Sequence, residues 1–148
     1  MDRSNPIDNV PVILVVCHED TLRHGLEQTL TADGYEVLLA RNSLEALLVG
    51  ADYPDHIDAL IVNIDLGAFQ NSVELASCFN VLRPATRILF TSALKLPDHP
   101  IPLEAVMQGP VSFLQSPYSA AGLLDCLENL LQENPAPSEA ESLAHSLS

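Results

Sequence analysis

The sequence predicts an α/β domain built on a doubly wound sheet of five parallel strands. Two observations carry this. Short apolar, β-branched-rich runs at residues 12–16, 35–39, 59–65, 87–91 and 111–114 alternate with stretches whose leucines recur at helical spacing. The third run opens Ala59-Leu60-Ile61-Val62, apolar at consecutive positions, as a strand buried on both faces requires. Alternation of this kind leads to right-handed crossovers and the strand order 2-1-3-4-5.

Each element has its own local signal. Val12-Ile13-Leu14-Val15-Val16 is the first strand, and Asp20 is the expected N-cap of a helix carrying Leu22, Leu26 and Leu30. Gly34 ends that helix. Asn42 or Ser43 opens a second helix with Leu44, Leu47 and Leu48, and Tyr53-Pro54-Asp55 turns the chain into the third strand. A loop at 67–72 leads to a helix at 73–82, stopped by Pro84. Prolines at 97, 100 and 102 forbid regular helix after the fourth strand, since each lacks an amide donor. A short helix at 103–108 is expected before the fifth strand. Ser119 caps the last helix, with Leu123, Leu124, Leu127, Leu130 and Leu131 on one stripe. Residues 1–10 read as a polar leader, 11–132 as the domain, and 133–148, rich in Pro, Ser, Ala and Glu, as a disordered tail.

Composition narrows the function. The 148 residues carry a formal net charge of −14, with only six basic residues, of which Lys95 is the one lysine. Such a surface repels phosphate backbones, so nucleic-acid binding is not expected. No apolar run approaches the roughly 18 residues of a membrane span, and the start lacks the basic and apolar regions of a secretion signal. A cytoplasmic protein without membrane contact is expected. Cys17, Cys78 and Cys126, an odd number at wide spacings, fit reduced thiols better than a disulfide framework.

In a sheet of this order, ligands bind beyond the carboxyl ends of the strands. Four segments converge there: Cys17-His18-Glu19 after the first strand, Asn63 after the third, Ser92 after the fourth and Ser116 after the fifth. With these ends in place, residues 12–20, 35–40, 59–66, 88–93 and 113–118 resemble the signature segments of the response-regulator receiver domain, the CheY-like member of the flavodoxin-like folds. The most specific pieces are Ile13-Leu14-Val15-Val16 before an acidic turn and Phe113-Leu114-Gln115-Ser116-Pro117-Tyr118 before the last helix.

The resemblance implies a phosphoryl switch: an acid pair holding Mg²⁺, an aspartate accepting the phosphoryl group, a Thr or Ser and a Lys contacting it. Mg²⁺ wants hard oxygen ligands, the nucleophile must be a carboxylate, and the lysine offsets charge on the phosphoryl oxygens. This sequence departs from that pattern almost throughout. The acid pair falls on Cys17 and His18, leaving Glu19 next to them; the acceptor falls on Asn63 and the lysine on Ser116. Ser92 keeps a permitted type, and Phe113 matches the aromatic that reports the switch. With two of three carboxylate positions neutral, the pocket needs no metal, and no cofactor is expected. The Asn63 amide can donate as well as accept, so it is expected to bridge to Ser92 or Ser116 and hold one conformation.

Sharper chemistry finds less support. Cys17 and Arg23 have the C-x5-R spacing of a cysteine-phosphatase loop, yet His18-Glu19-Asp20 brings carboxylates and no glycine where amides must wrap an anion. Cys17 with His18 lacks the spacing of a four-ligand metal site. Asp65 reads as a loop cap rather than a substitute acceptor. The expectation is a stand-alone, degenerate receiver in a phosphorelay-type pathway, not an enzyme, acting by protein–protein contact without phosphorylation. Its partners would be a kinase, another regulator or a second copy, met through the short helix at 103–108, the strand of Phe113 and the last helix. The alternatives are a receiver still switched by a ligand or partner through Ser92 and Phe113, and an enzyme using Cys17.

Overall fold

A computed structural model describes residues 10–64, 69–92, 111–115 and 118–132. Its elements follow in the order β1 (Val12–Val16), α1 (Asp20–Ala32), β2 (Glu36–Ala40), α2 (Ser43–Asp52), β3 (Ala59–Ile64), α3 (Phe69–Leu82), β4 (Arg87–Ser92), β5 (Val111–Gln115) and α4 (Ala120–Leu131). The five strands form one parallel sheet in the order β2-β1-β3-β4-β5.

The period-two alternation of the strands splits the core into two layers. Leu14, Leu60, Ile88 and Phe90 point to one side, where they meet Ala46 of α2 and Phe79 of α3. Ile13, Val15, Ile61 and Leu89 point to the other, against Leu26 and Leu30 of α1 and Leu123, Leu127 and Leu130 of α4. Every residue of β1 is buried, as expected of a strand covered on both faces. Each fully buried leucine contributes about 1.5–3 kcal/mol, so the two layers are the main source of stability.

Polar contacts fasten the edge of the sheet opposite the site. Asp58 Oδ2 accepts from the Val12 amide at 2.8 Å, and the Thr86 hydroxyl donates to the Ile57 carbonyl at 2.6 Å. Arg83 reaches across from the end of α3 to three carbonyls, Gly50 at 2.7 Å, Asp55 at 2.8 Å and Tyr53 at 2.5 Å. It thereby satisfies acceptors at the C-terminus of α2 that the helix leaves open.

Several local expectations shift. Asp20 is the first residue of α1 rather than its cap: Glu19 holds the cap position without a side-chain bond, and Asp20 instead pairs with Arg23 at 2.5 Å. β2 starts at Glu36 because Tyr35 still donates its amide to Leu30, closing the helix around Gly34 at φ +99°. Asn42 caps α2 by accepting from the Glu45 amide, and Ser119 caps α4 by accepting from the Gly122 amide. α3 begins at Phe69, four residues before the expected start. Leu44 and Leu48 point outward from α2, which buries Ala46 and Gly50 instead. Residues 1–9 of the leader, Asp65, the proline-rich connection, the helix at 103–108, Ser116 and the tail lie outside the described residues.

Candidate functional site

The strand register assembles the site. β3 and β4 pair so that Asn63 stands opposite Thr91, and β4 and β5 pair so that Thr91 stands opposite Leu114. All three belong to the row that follows Ile61 and Leu89, on the α1/α4 side. The Thr91 hydroxyl donates to Asn63 Oδ1 at 2.9 Å, and Thr91 is fully buried. The amide thus has a partner the sequence did not point to, while Ser116 and the Ser92 side chain, expected to meet it, lie outside the described residues. Ser92 is one residue further along, opposite Ile64.

Cys17 continues β1 toward the same edge, its amide bonded to the Ala40 carbonyl at 3.1 Å. Its thiol is buried in the α1/α4 layer, 3.6 Å from the Glu19 carbonyl oxygen. Its two neighbours in sequence do not join it. His18 and Glu19 are exposed and line an open groove with Asp20, Arg41 and Asn42. The predicted acidic corner is thus divided, with a thiol inside and a polar rim outside.

Tyr118 completes the inner cluster. Burial pushes its hydroxyl above the usual phenol range; the Thr91 hydroxyl beside it works in the opposite sense, and Cys17 is the remaining neighbour that acts on it. The hydroxyl is buried and approaches Thr91 without the geometry of a full hydrogen bond. Neither Thr91 nor Tyr118 was singled out by residue type. Strand parity carries the signal for Thr91, since a residue in register with Asn63 shares its face.

Arg23 is buried and directs its guanidinium inward to the loop backbone. It donates to the Cys17 carbonyl at 3.0 Å and the His18 carbonyl at 3.5 Å, and pairs with Asp20. That pairing, through the hydrogen bond and the charge of Arg23, holds Asp20 below the usual carboxylate range. A phosphate loop needs an arginine aimed at the anion and amides converging on it. Here the arginine is bound to carbonyls and a carboxylate of its own chain. Among the described residues, His, Cys, Asp and Glu gather in no group of three that could hold a metal ion.

On the opposite face of β5, Phe113 stacks on Phe90 with ring centroids 5.3 Å apart and planes at 23°. The ring is half-buried and packs against the α2/α3 layer. Asn63 and Phe113 therefore project from opposite faces of the sheet.

No family model and no curated protein matches this chain. Solved structures do match, and response regulator receiver domains are among them. A response regulator receiver domain protein (CheY-like) from Methanospirillum hungatei JF-1 is 21% identical, with a TM-score of 0.69 over 83% of this chain and 94% of that one. A response regulator from Thermotoga maritima is 22% identical, with a TM-score of 0.70 over 84% and 99% of the two chains. The Vibrio cholerae chemotaxis protein CheY4 is 23% identical, with a TM-score of 0.71 over 82% and 98%. The chain has the CheY-like receiver fold.

Proposed function

We propose that this chain is a cytoplasmic signalling module of receiver shape that acts by binding proteins and is not switched by phosphorylation. One observation carries the reading. At the position where a receiver presents its aspartate, Asn63 presents an amide whose oxygen accepts from a fully buried threonine. An amide oxygen held by a hydrogen bond is a poor nucleophile, and attack would not yield the acyl phosphate a carboxylate forms.

The surroundings support the same reading. Where a metal-binding acid would stand, the buried Cys17 thiol brings no charge and no hard oxygen. With Arg23 bound to the loop carbonyls, the C-x5-R spacing does not form an anion cradle, which also weighs against an enzyme built on Cys17. What remains is an internally bonded cluster of amide, hydroxyl and thiol suited to holding one shape. The partners of such a module are other proteins, a kinase or another regulator among them.

Intact-mass measurement after incubation with acetyl phosphate and Mg²⁺ tests this. The mass of the native chain should stay unchanged. Appearance of a covalent phosphoryl adduct overturns the proposal.

A further inference from the structure

The large hydrophobic side chains exposed among the described residues all belong to one layer of the fold. They are Leu44 (66% exposed) and Leu48 (53%) on α2, and Val81 (80%) and Leu82 (47%) on α3. Single exposed leucines need no explanation, but four on one layer and none on the α1/α4 side form a pattern.

The two helices adjoin through the C-terminal half of α2 and the end of α3, next to Val81 and Leu82. An added Cβ at Gly50 of α2 would sit 2.7 Å from the Phe79 ring of α3. Arg83, next to Leu82, bonds the carbonyls of Gly50 and Tyr53. On α2 the outward residues Leu44, Leu48 and Ala51, with half-buried Leu47, recur at i, i+3, i+4 and i+7. The same helix buries Ala46 and Gly50 on its inner side, so it is apolar nearly all round. Helices of that kind are normally covered on both sides.

Charge selects what covers it. Neither α2 nor α3 contains a Lys, Arg or His, whereas Asp52, Asp55 and Glu74 are exposed around them. The two arginines nearby are engaged: Arg41 pairs with Glu45 at 2.7 Å, and Arg83 is bound to carbonyls. A second copy would bring the same acidic rim and a further net charge of −14, and the chain's own segment 133–148 is acidic too. Like charges across an interface oppose both.

We infer that the α2/α3 face, through Leu44, Leu48, Val81 and Leu82, docks a partner's amphipathic segment whose apolar stripe is flanked by Lys or Arg. This rests on the reading of the chain as a protein-binding module, and it names the face and the chemistry of the partner. The recognition is helix-in-groove in kind, with apolar anchors for affinity and a basic rim for selection.

The test uses the full-length chain and two synthetic amphipathic helices sharing a leucine face, one with lysine on the polar face and one with glutamate. Fluorescence anisotropy should show the leucine–lysine peptide binding and the leucine–glutamate peptide failing to bind. Leu44→Gln with Leu48→Gln should weaken binding about tenfold or more, while far-UV circular dichroism and melting temperature hold, because both side chains are already solvent-exposed. Val81→Thr on α3 should weaken it independently of any effect on α2. Asp125→Asn with Glu128→Gln on α4 should leave it unchanged. Undiminished binding by the leucine variants, equal binding of the glutamate peptide, or equal loss in the α4 variant overturns the inference. So does a wild-type dimer in sedimentation that the leucine variants dissociate, since a second copy then covers the face. A phosphoryl adduct with peptide binding intact would remove the phosphorylation-independent reading and leave this face standing; lost selectivity without an adduct would do the reverse.

Discussion

The bond between Thr91 and Asn63 can be measured as a coupling energy. Thr91→Val keeps the shape of the side chain and removes the donor; Asn63→Ala removes the acceptor. Thr91 is fully buried, so in Asn63→Ala its hydroxyl keeps only the poorly aligned Tyr118 hydroxyl beside it, at a cost of about 1–3 kcal/mol. Asn63 is only half-buried, so in Thr91→Val water can partly rehydrate its oxygen, and the expected loss is smaller, about 1 kcal/mol. In the double variant neither group is stranded. The cycle should therefore give an interaction energy of about 1 kcal/mol at a heavy-atom distance of 2.9 Å. Urea denaturation of the four proteins at constant m-value is the assay. If the single effects add to within about 0.3 kcal/mol, the two side chains do not communicate, and the account of a locked edge is wrong.

Other perturbations follow from the same structure. Asn63→Asp alone should remain unphosphorylated with acetyl phosphate and Mg²⁺, because neither Cys17 nor His18 is a carboxylate that could hold the metal; a Mg²⁺-dependent adduct on this variant would refute that. Gly50→Ala should lower stability by about 1 kcal/mol, since the new Cβ would press within 2.7 Å of a Phe79 ring buried on all sides, and overpacking outweighs the gain in helix propensity. Gly25→Ala in α1 should raise stability by up to about 1 kcal/mol, as its added Cβ meets nothing within 4 Å; chemical denaturation of the pair should show shifts of opposite sign. Asp20 titrates below its ordinary value when folded, so its contribution is present above about pH 4 and is lost as pH falls through the depressed value. Carboxyl-detected NMR should find Asp20 low in the native chain and raised in Arg23→Gln.

Much of the fold was legible because local signals and burial agreed. The consecutive apolar residues of β1 and β3, the glycine closing α1 and the caps Asn42 and Ser119 all act within a few residues of themselves. Asp20 misled because its side chain had a stronger partner one turn ahead in Arg23, and a helix cap competes with an ion pair for the same oxygens. The outward Leu44 and Leu48 were not legible, because leucine content signals a buried stripe only when the opposite face is polar, and α2 has small apolar residues there.

The sequence by itself determined the alternation of strands and helices, and with it the edge on which Cys17, Asn63 and Ser92 fall. It also determined the chemical types at that edge, an amide at 63 and a thiol at 17. Only the tertiary structure decided that Asn63 bonds Thr91, that Cys17 turns inward while His18 turns outward, and that α2 and α3 leave their leucines uncovered. The reason is physical: periodicity specifies which residues of one element share a face, whereas inter-strand register and helix rotation depend on packing between elements distant in the chain.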